Sequence, residues 1–142
     1  MYNYRPAVTP LELDFMVRLW AYEPGHSKLL LRGFSHPEAV ERQRIVDVMF
    51  HSVSRMKLDS AYHKFSVRLG SASENSPGND EVGPLAPDDK VYLINPESGS
   101  WFVVAERMDW AFLKISGYEE SPLITEDASA LRRLAVGDVY WL

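Results

Sequence analysis

The sequence predicts a mainly β domain of about seven strands with one short helix near the C-terminus. Apolar residues alternate with polar ones along several segments, turn residues such as Pro, Gly and Asn separate those segments, and one late segment has helical spacing. Because the turns between successive strands are short, we expect a mostly antiparallel sandwich, with a partly open barrel as the alternative. A chain of 142 residues fits a single domain, 1–142, that can bury its own core.

Residues 11–22 form the clearest predicted strand. The core-facing set is Leu11, Leu13, Phe15, Val17, Leu19 and Ala21, and the outward set is Glu12, Asp14, Met16, Arg18, Trp20 and Tyr22. A helix would scatter the first set around its circumference, so the period of two predicts an extended, half-buried segment. At roughly 3.3 Å per residue this strand would be about 40 Å long, so we expect it to bend or to contain a bulge. Pro24 and Gly25 then favour a tight turn into a returning strand over 27–34.

Two more strands are predicted in the first half of the chain. Residues 44–53 place Val46, Val48 and Phe50 on one face and Ile45, Asp47, Met49, His51 and Val53 on the other. Apolar residues on both faces predict a strand near the middle of the fold. Residues 62–69 form the next strand, with Phe65, Val67 and Leu69 toward the core. Residues 35–43 and 54–60 are expected to connect these strands.

Residues 70–89 are predicted to form a mobile acidic loop. They are rich in Pro, Gly, Ser and Asn, and between 71 and 90 five acidic residues stand against Lys90 alone. That stretch carries −4 of the net charge of −5, so the remainder of the chain is close to neutral. A neutral body with an acidic loop offers no electrostatic attraction to phosphate backbones, so nucleic acid is not an expected partner.

The last third of the chain predicts three strands, one helix and a closing segment. Strands are expected over 90–95, 101–105 and 108–116, the last with Trp110 and Phe112 on the face opposite Ala111 and Leu113. Thr125 resembles a helix N-cap, and a short helix would place Ala128, Leu131, Leu134 and Ala135 on one face. Gly137 is expected to end that helix. Residues 138–142 would close the chain as an edge strand or a packed tail.

Composition excludes several classes of protein. The chain contains no cysteine, which excludes disulfide scaffolds, thiolate zinc sites and cysteine nucleophiles. No run approaches the length of about 18 apolar residues that a membrane helix requires, and the first residues lack the order of a secretory signal. A cytoplasmic protein without a membrane segment or a cofactor is therefore the expectation.

The best candidates for metal binding or acid–base chemistry are Asp47, His51 and His63. Asp47 and His51 project from the same face of one predicted strand, and His63 precedes the next. If these strands pair, the three side chains could converge. The simpler interpretation is that Asp47 is solvent-facing or is the cross-strand partner of an arginine, and that the histidines are ordinary surface residues. No glycine-rich phosphate loop or nucleophile elbow accompanies them.

The aromatic residues of the first long strand suggest a binding surface. Trp20 and Tyr22 share its outward face with Met16 and Arg18, so two large rings and a methionine would stand where polar side chains are expected. Exposed apolar patches of this kind often mark a partner site. Coverage of that face by a second sheet or by the helix is the alternative.

Part of the first half shares its strand pattern with a known group of proteins. The segments are LWAYEPG at 19–25, LLLR at 29–32 and IVDVMFHSV at 45–53. Over residues 11–70 the chain resembles small uncharacterised bacterial domains, some of which are similar to immunity proteins of toxin–antitoxin-type competition systems. The resemblance implies a β-rich binding protein that acts by occluding a partner, and it transfers no site residue.

Three functions follow as hypotheses, in order of preference. The first is a non-enzymatic module that binds a protein partner, which the acidic loop would favour if that partner is basic. The second is a small-ligand binder with a sandwich or barrel cavity gated by residues 70–89. The third is an enzyme that uses Asp47 with His51 or His63. Self-association into a homo-oligomer is left open by the sequence.

Overall fold

The computed structural model describes residues 2–7, 10–35, 45–70 and 82–142. Within these residues the chain forms twelve strands and one helix. In chain order the strands are β1 (Tyr4–Pro6), β2 (Leu11–Leu13), β3 (Val17–Glu23), β4 (Lys28–Phe34), β5 (Ile45–His51), β6 (Arg55–Lys57), β7 (Ala61–Tyr62), β8 (Phe65–Leu69), β9 (Lys90–Ile94), β10 (Trp101–Ala105), β11 (Arg107–Leu113) and β12 (Ala135–Trp141), and α1 spans Ala128–Leu134. The predicted mainly β fold with a short C-terminal helix is confirmed.

The strands form two sheets that pack against each other without closing into a barrel. The larger sheet has the order β1-β12-β11-β5-β4-β3-β7, and the smaller has the order β2-β8-β9-β10-β6. The described pairs are antiparallel except that β1 runs parallel to β12. Because β1 lies outside β12, the predicted closing segment is an inner strand and not an edge.

The predicted single strand over residues 11–22 is two strands in different sheets. β2 pairs with β8 in the smaller sheet, whereas β3 pairs with β4 and β7 in the larger one. The predicted strand over 62–69 divides in the same way into β7 and β8. These two long segments lie side by side, and both pass from one sheet to the other, at 14–16 and at 63–64. The expected bend is therefore present, and it joins the two layers.

The core between the sheets is built from alternating residues, as the period of two predicts. Its buried members are Leu11, Leu13, Val17, Leu29, Leu31, Val46, Val48, Phe50, Val53, Tyr62, Phe65, Val67, Tyr92, Ile94, Val103, Ala105, Met108 and Trp110. Strand β5 occupies the centre of the larger sheet and is buried on both faces, which confirms its predicted position. Each fully buried aliphatic or aromatic side chain of this kind contributes about 1.5–3 kcal/mol.

The outer face of the larger sheet is covered by the segment that leads into α1. The cluster joins Ile115 and Leu123 of that segment and Leu131 of α1 to five side chains of the sheet: Ile45, Met49, Ala111, Leu113 and Val139. Since α1 has only seven residues, its stability depends on this packing more than on helix propensity. The outer face of β5 is therefore covered by this segment and by α1.

Two boundary predictions for α1 are wrong. The N-cap is Asp127, whose side chain accepts a hydrogen bond from the Ala130 amide at 3.0 Å, and not Thr125. The helix ends at Leu134, and the chain continues at once into β12. Gly137 lies within β12 at a φ of +85°, where the pairing with β11 shifts register. It therefore serves a bulge in a strand, where left-handed backbone is needed, and does not end the helix.

Residues 71–81 of the predicted acidic loop, and residues 36–44 of the connection before β5, lie outside the described residues. The last part of the loop, 82–89, packs on the smaller sheet through buried Val82, which joins Val91, Phe102 and Val104. Arg55 fastens it by donating to the carbonyls of Val82 and Pro84 at 2.5 and 2.7 Å. In the described part of the chain, no helix has both the length and the apolar composition to cross a membrane.

Candidate functional site

The binding surface predicted from Met16, Arg18, Trp20 and Tyr22 is divided in the structure. Met16 precedes β3 and is half-buried, and its carbonyl accepts a hydrogen bond from the Phe34 amide at 3.1 Å. Arg18 is exposed at a position where β3 still pairs with both β4 and β7. Trp20 and Tyr22 follow, on opposite sides of the strand.

A bulge in β3 separates the two aromatic side chains. Leu19 lies opposite Leu31 on β4, but after a register shift around Trp20 it is Tyr22 that lies opposite Leu29. Leu29 and Leu31 both face the core between the sheets. Because directly opposed residues point to the same face, Leu19 and Tyr22 are on the core-facing side and Trp20 is on the other. The prediction of a single outward face is therefore wrong: the extra residue inverts the alternation.

Leu19 and Tyr22 remain exposed although they lie on the core-facing side. Their exposed fractions are 42% and 45%. The buried part of the inter-sheet core ends with Val17 on this strand. The prediction that Leu19 is buried is therefore wrong, and the exposed apolar pair on β3 is Leu19 with Tyr22.

Trp20 is held by contacts on the outer face of the larger sheet. Its ring lies over the Arg32 guanidinium, with the Cζ atom 5.1 Å from the ring centroid. Phe34 packs edge-on against it at 5.5 Å, and Tyr118 approaches at 6.4 Å. Trp20 is accordingly half-buried, while Tyr118 is 94% exposed. The partial cover of Trp20 therefore comes from the turn around Tyr118, and not from a second sheet or the helix, which were the alternatives stated from the sequence.

Asp47 is committed to an arginine on the neighbouring strand. Arg32 Nε and Nη2 donate to the two carboxylate oxygens of Asp47 at 2.7 and 2.9 Å, and both side chains are fully buried. The Nη1 group of Arg32 also donates to the carbonyls of Gly117 and Glu119 at 3.0 and 2.7 Å. The simpler interpretation of Asp47, as the cross-strand partner of an arginine, is confirmed.

Strand β3 loses its outer neighbour half-way along. β7 pairs with Val17 and Arg18, and the Leu19 amide donates to the Ser60 carbonyl at 2.9 Å. Among the described residues, no strand pairs with Trp20–Glu23 on that side, although β4 pairs with Ala21–Glu23 on the other. Within the described part of the chain this stretch is an open sheet edge, and such edges can accept another strand.

A second polar cluster lies at the other side of β5, around Asp109. Its carboxylate accepts a hydrogen bond from the Tyr4 hydroxyl and another from His51 Nε2 at 2.8 Å. It also forms an ion pair with Arg107 Nε at 3.3 Å. The Arg107 Nη2 atom lies 3.2 Å from His51 Nε2. Asp109 is 4% exposed, so it is a buried charge whose burial is offset by these donors.

Four strands position this cluster. His51 ends β5 directly opposite Arg107 on β11, and Asp109 is two residues further along β11 on the same face. Tyr4 on β1 lies opposite buried Val139 of β12, one strand beyond. All four side chains therefore emerge on the outer face of the larger sheet, where they border a cleft of about 390 Å³.

Burial and the charge of Asp109 raise the pKa values of two nearby tyrosines, Tyr4 and Tyr92. Burial, the hydrogen bond to Asp109 and the charge of that carboxylate raise the pKa of Tyr4 well above its ordinary value. Burial, followed by the same charge, raises the pKa of Tyr92, whose hydroxyl donates to the Leu142 carbonyl at 2.6 Å. Both hydroxyls therefore stay protonated at neutral pH and act as hydrogen-bond donors.

The predicted trio of Asp47, His51 and His63 does not form one site. Asp47 pairs with Arg32, His51 pairs with Asp109, and His63 is exposed in the turn between β7 and β8. In the ranges that the structure describes, no group of three or more His, Cys, Asp or Glu side chains is arranged to hold a metal ion. The shared face of Asp47 and His51 is real, but each side chain turns to a different neighbouring strand.

Sequence reasoning missed Asp109 and Arg107 as neighbours of His51, and Tyr4 as a partner of Asp109. The predicted strand over 108–116 begins one residue too late to include Arg107, although an extended segment from 107 places the side chains of Arg107 and Asp109 on one face. Tyr4 carried no such signal, because the three-residue β1 has no alternating pattern and pairs in parallel with the far end of the chain. Comparison with known proteins does not identify these residues either, because the chain matches no family model, no curated protein and no solved structure.

Proposed function

We propose that this protein is a non-enzymatic interaction module that binds a partner protein along the second half of β3. The observation that supports the proposal most directly is the open edge at Trp20–Glu23, which is flanked by exposed apolar side chains. Leu19 and Tyr22 stand on one side of that edge, and Trp20 with Tyr118 on the other. A partner can gain backbone hydrogen bonds from the edge and apolar contact area from both sides.

The composition of the surface is typical of a binding site. Tyrosine and tryptophan are enriched in the central residues of interfaces, because each ring supplies a large area with few rotatable bonds. Trp20 is already fixed by Arg32 and Phe34, so it loses little further freedom when a partner covers it. Tyr118 is the most exposed of these rings and would lose the most solvent contact.

The expected partner is a protein that the chain occludes, as the resemblance to immunity proteins implies. The acidic stretch between 71 and 90 favours a basic partner, because complementary charge speeds association and opposes wrong partners. The hypothesis of an enzyme that uses Asp47 with a histidine loses its geometric support, since Asp47 is held on both oxygens by buried Arg32.

The test is site-specific photocrosslinking in cells that express the protein. A photoreactive residue would replace Tyr22 or Leu19 at the β3 edge, and Met56 on β6 would carry the same group as the matched control, because it is exposed to a similar fraction of 41%. We expect one discrete adduct from the two β3 positions and none from position 56. Identical adducts from all three positions, or none from position 22, would contradict the proposal.

A second experiment separates binding from folding. Substituting serine for both Leu19 and Tyr22 removes exposed apolar surface, and such changes usually alter stability by less than about 0.5 kcal/mol. A pull-down against the crosslinked partner should lose the complex with this variant and keep it with Met56→Ser. Retention of the complex by the β3 variant would place the interface elsewhere.

A further inference from the structure

The cleft beside the Asp109 cluster has the size and the mixed chemistry of a small-molecule site. Its volume of about 390 Å³ falls within the usual range for ligand pockets, roughly 300–1,000 Å³. It is lined by Tyr2, Tyr4, His51, Arg107, Asp109, Leu123, Glu126, Ala128, Leu131 and Val139. It opens on the outer face of the larger sheet, two strands away from β3, so this inference is independent of the protein-interaction proposal.

One side of the cleft is apolar. Leu123, Leu131 and Val139 are buried side chains of the cluster that joins the sheet to its cover, and their edges line the cleft. These residues offer aliphatic surface to a ligand without offering a hydrogen bond. A ligand that fits here must therefore carry an apolar portion.

The polar side of the cleft combines Arg107, whose guanidinium can only donate hydrogen bonds, with the carboxylates of Asp109 and Glu126. The Asp109 oxygens already accept hydrogen bonds from the Tyr4 hydroxyl and from His51 Nε2, and they form an ion pair with Arg107. An ionised carboxylate can only accept, and His51 Nε2 is closer to the Asp109 carboxylate, at 2.8 Å, than to Arg107 Nη2, at 3.2 Å. The Nε2 N–H group therefore donates to Asp109. Arg107 lines the cleft, its side chain is 49% exposed, and its ion pair with Asp109 is made through Nε.

Charge decides which anion those donors would take. Arg107 is paired with Asp109, and Glu126 at the cleft is paired with Lys28 beside it at 3.2 Å, so these four side chains together carry no net charge. One planar guanidinium in a neutral setting suits a single carboxylate group better than a doubly charged phosphate.

We propose that this cleft binds a small monocarboxylate with an aliphatic tail. The carboxylate would accept hydrogen bonds from the terminal nitrogens of Arg107, and the tail would lie against Leu123, Leu131 and Val139. The ion pair with Asp109 restrains the Arg107 side chain, so less side-chain entropy is lost on binding.

The test is a titration of the purified protein with straight-chain monocarboxylates of two to eight carbons, monitored by calorimetry and by amide chemical shifts. Affinity should rise severalfold with each added methylene until the cleft is filled. The primary amides of the same chain lengths should bind about tenfold more weakly or worse, because they lack the charge. Inorganic phosphate should bind no better than acetate. The shifts should be concentrated at His51, Leu131 and Val139.

Single substitutions test whether the acids bind in this cleft. Arg107→Gln should abolish the preference for acids over amides, while Arg133→Gln, on the exposed side of α1, should leave it unchanged. Leu131→Val should reduce the gain per methylene and keep the preference for acids. Equal binding of acids and amides, tighter binding of phosphate, shifts confined to other regions, or no binding by any acid would each overturn the proposal. Those outcomes leave crosslinking at Tyr22 unaffected, so the two proposals fail separately.

Discussion

Arg32 and Asp47 form a fully buried, two-point ion pair between adjacent strands at the centre of the larger sheet. The same guanidinium binds two carbonyls of the segment that covers the outer face, and it supports the Trp20 ring. One arginine thus joins the sheet, its cover and the strand proposed to bind a partner. Removing either charge would leave the other buried without compensation.

Substituting Asp47 should be severely destabilising. Asp47→Asn leaves the Arg32 guanidinium buried with a neutral partner, so we expect the free energy of unfolding to fall by about 3–5 kcal/mol. Urea denaturation measures this directly, and Asp14→Asn is the matched control, because Asp14 is exposed and 3.6 Å from an equally exposed lysine. A loss for Asp47→Asn as small as that for Asp14→Asn would contradict a structural role. The double variant Arg32→Met/Asp47→Leu should be less destabilised than Asp47→Asn alone.

This ion pair also shows where sequence reasoning succeeds and where it stops. Period-two alternation predicted the strands, the central position of β5 and the shared face of Asp47 and His51, because a strand imposes that geometry locally. Which neighbour each side chain meets depends on strand order, and strand order is set by packing across the whole chain. The bulge around Trp20 is a similar case: one extra residue inverted the face of Tyr22, and nothing in the local composition marks it.

The alkaline limit of stability should depend on buried tyrosines. Burial is the main cause that raises the pKa of Tyr62 to about 12, against an ordinary value of about 10 in the unfolded chain. The folded state therefore holds its proton more tightly, and this contribution to stability is complete below pH 10 and is lost as the pH rises toward 12.

Tyr62→Phe should remove one part of that pH dependence. Between pH 10 and 12, one such tyrosine lowers the free energy of unfolding by up to about 1.4 kcal/mol per pH unit. Urea denaturation at several alkaline pH values should show a shallower decline for Tyr62→Phe than for the wild type. Tyr118→Phe changes a ring that is 94% exposed, so the stability of this variant should decline with pH as steeply as that of the wild type. Equal slopes for all three proteins would show that Tyr62 does not titrate in this way.

Tyr4 should anchor β1 to the rest of the sheet. Its hydroxyl donates to Asp109 on β11, whereas the backbone pairs of β1 and the ion pair of Arg5 with Asp138 join it to β12. Tyr4→Phe leaves a buried carboxylate short of one donor, so we expect a loss of about 1–3 kcal/mol. Hydrogen exchange of the Ala7 amide, which bonds to the Trp141 carbonyl at 2.7 Å, should become faster. Tyr2→Phe is the control, and a similar acceleration there would indicate general fraying of the terminus.

Gly137 should resist substitution because of its backbone and not because of crowding. At a φ of +85° it lies in the left-handed region, and no atom lies within 4 Å of the position that a Cβ would occupy. Gly137→Ala should therefore cost about 1–2 kcal/mol through backbone strain alone. Gly25 has the same open surroundings without a positive φ, so Gly25→Ala should be neutral or stabilising by up to about 1 kcal/mol. Equal stabilities of the two variants in urea would contradict a backbone cost at Gly137.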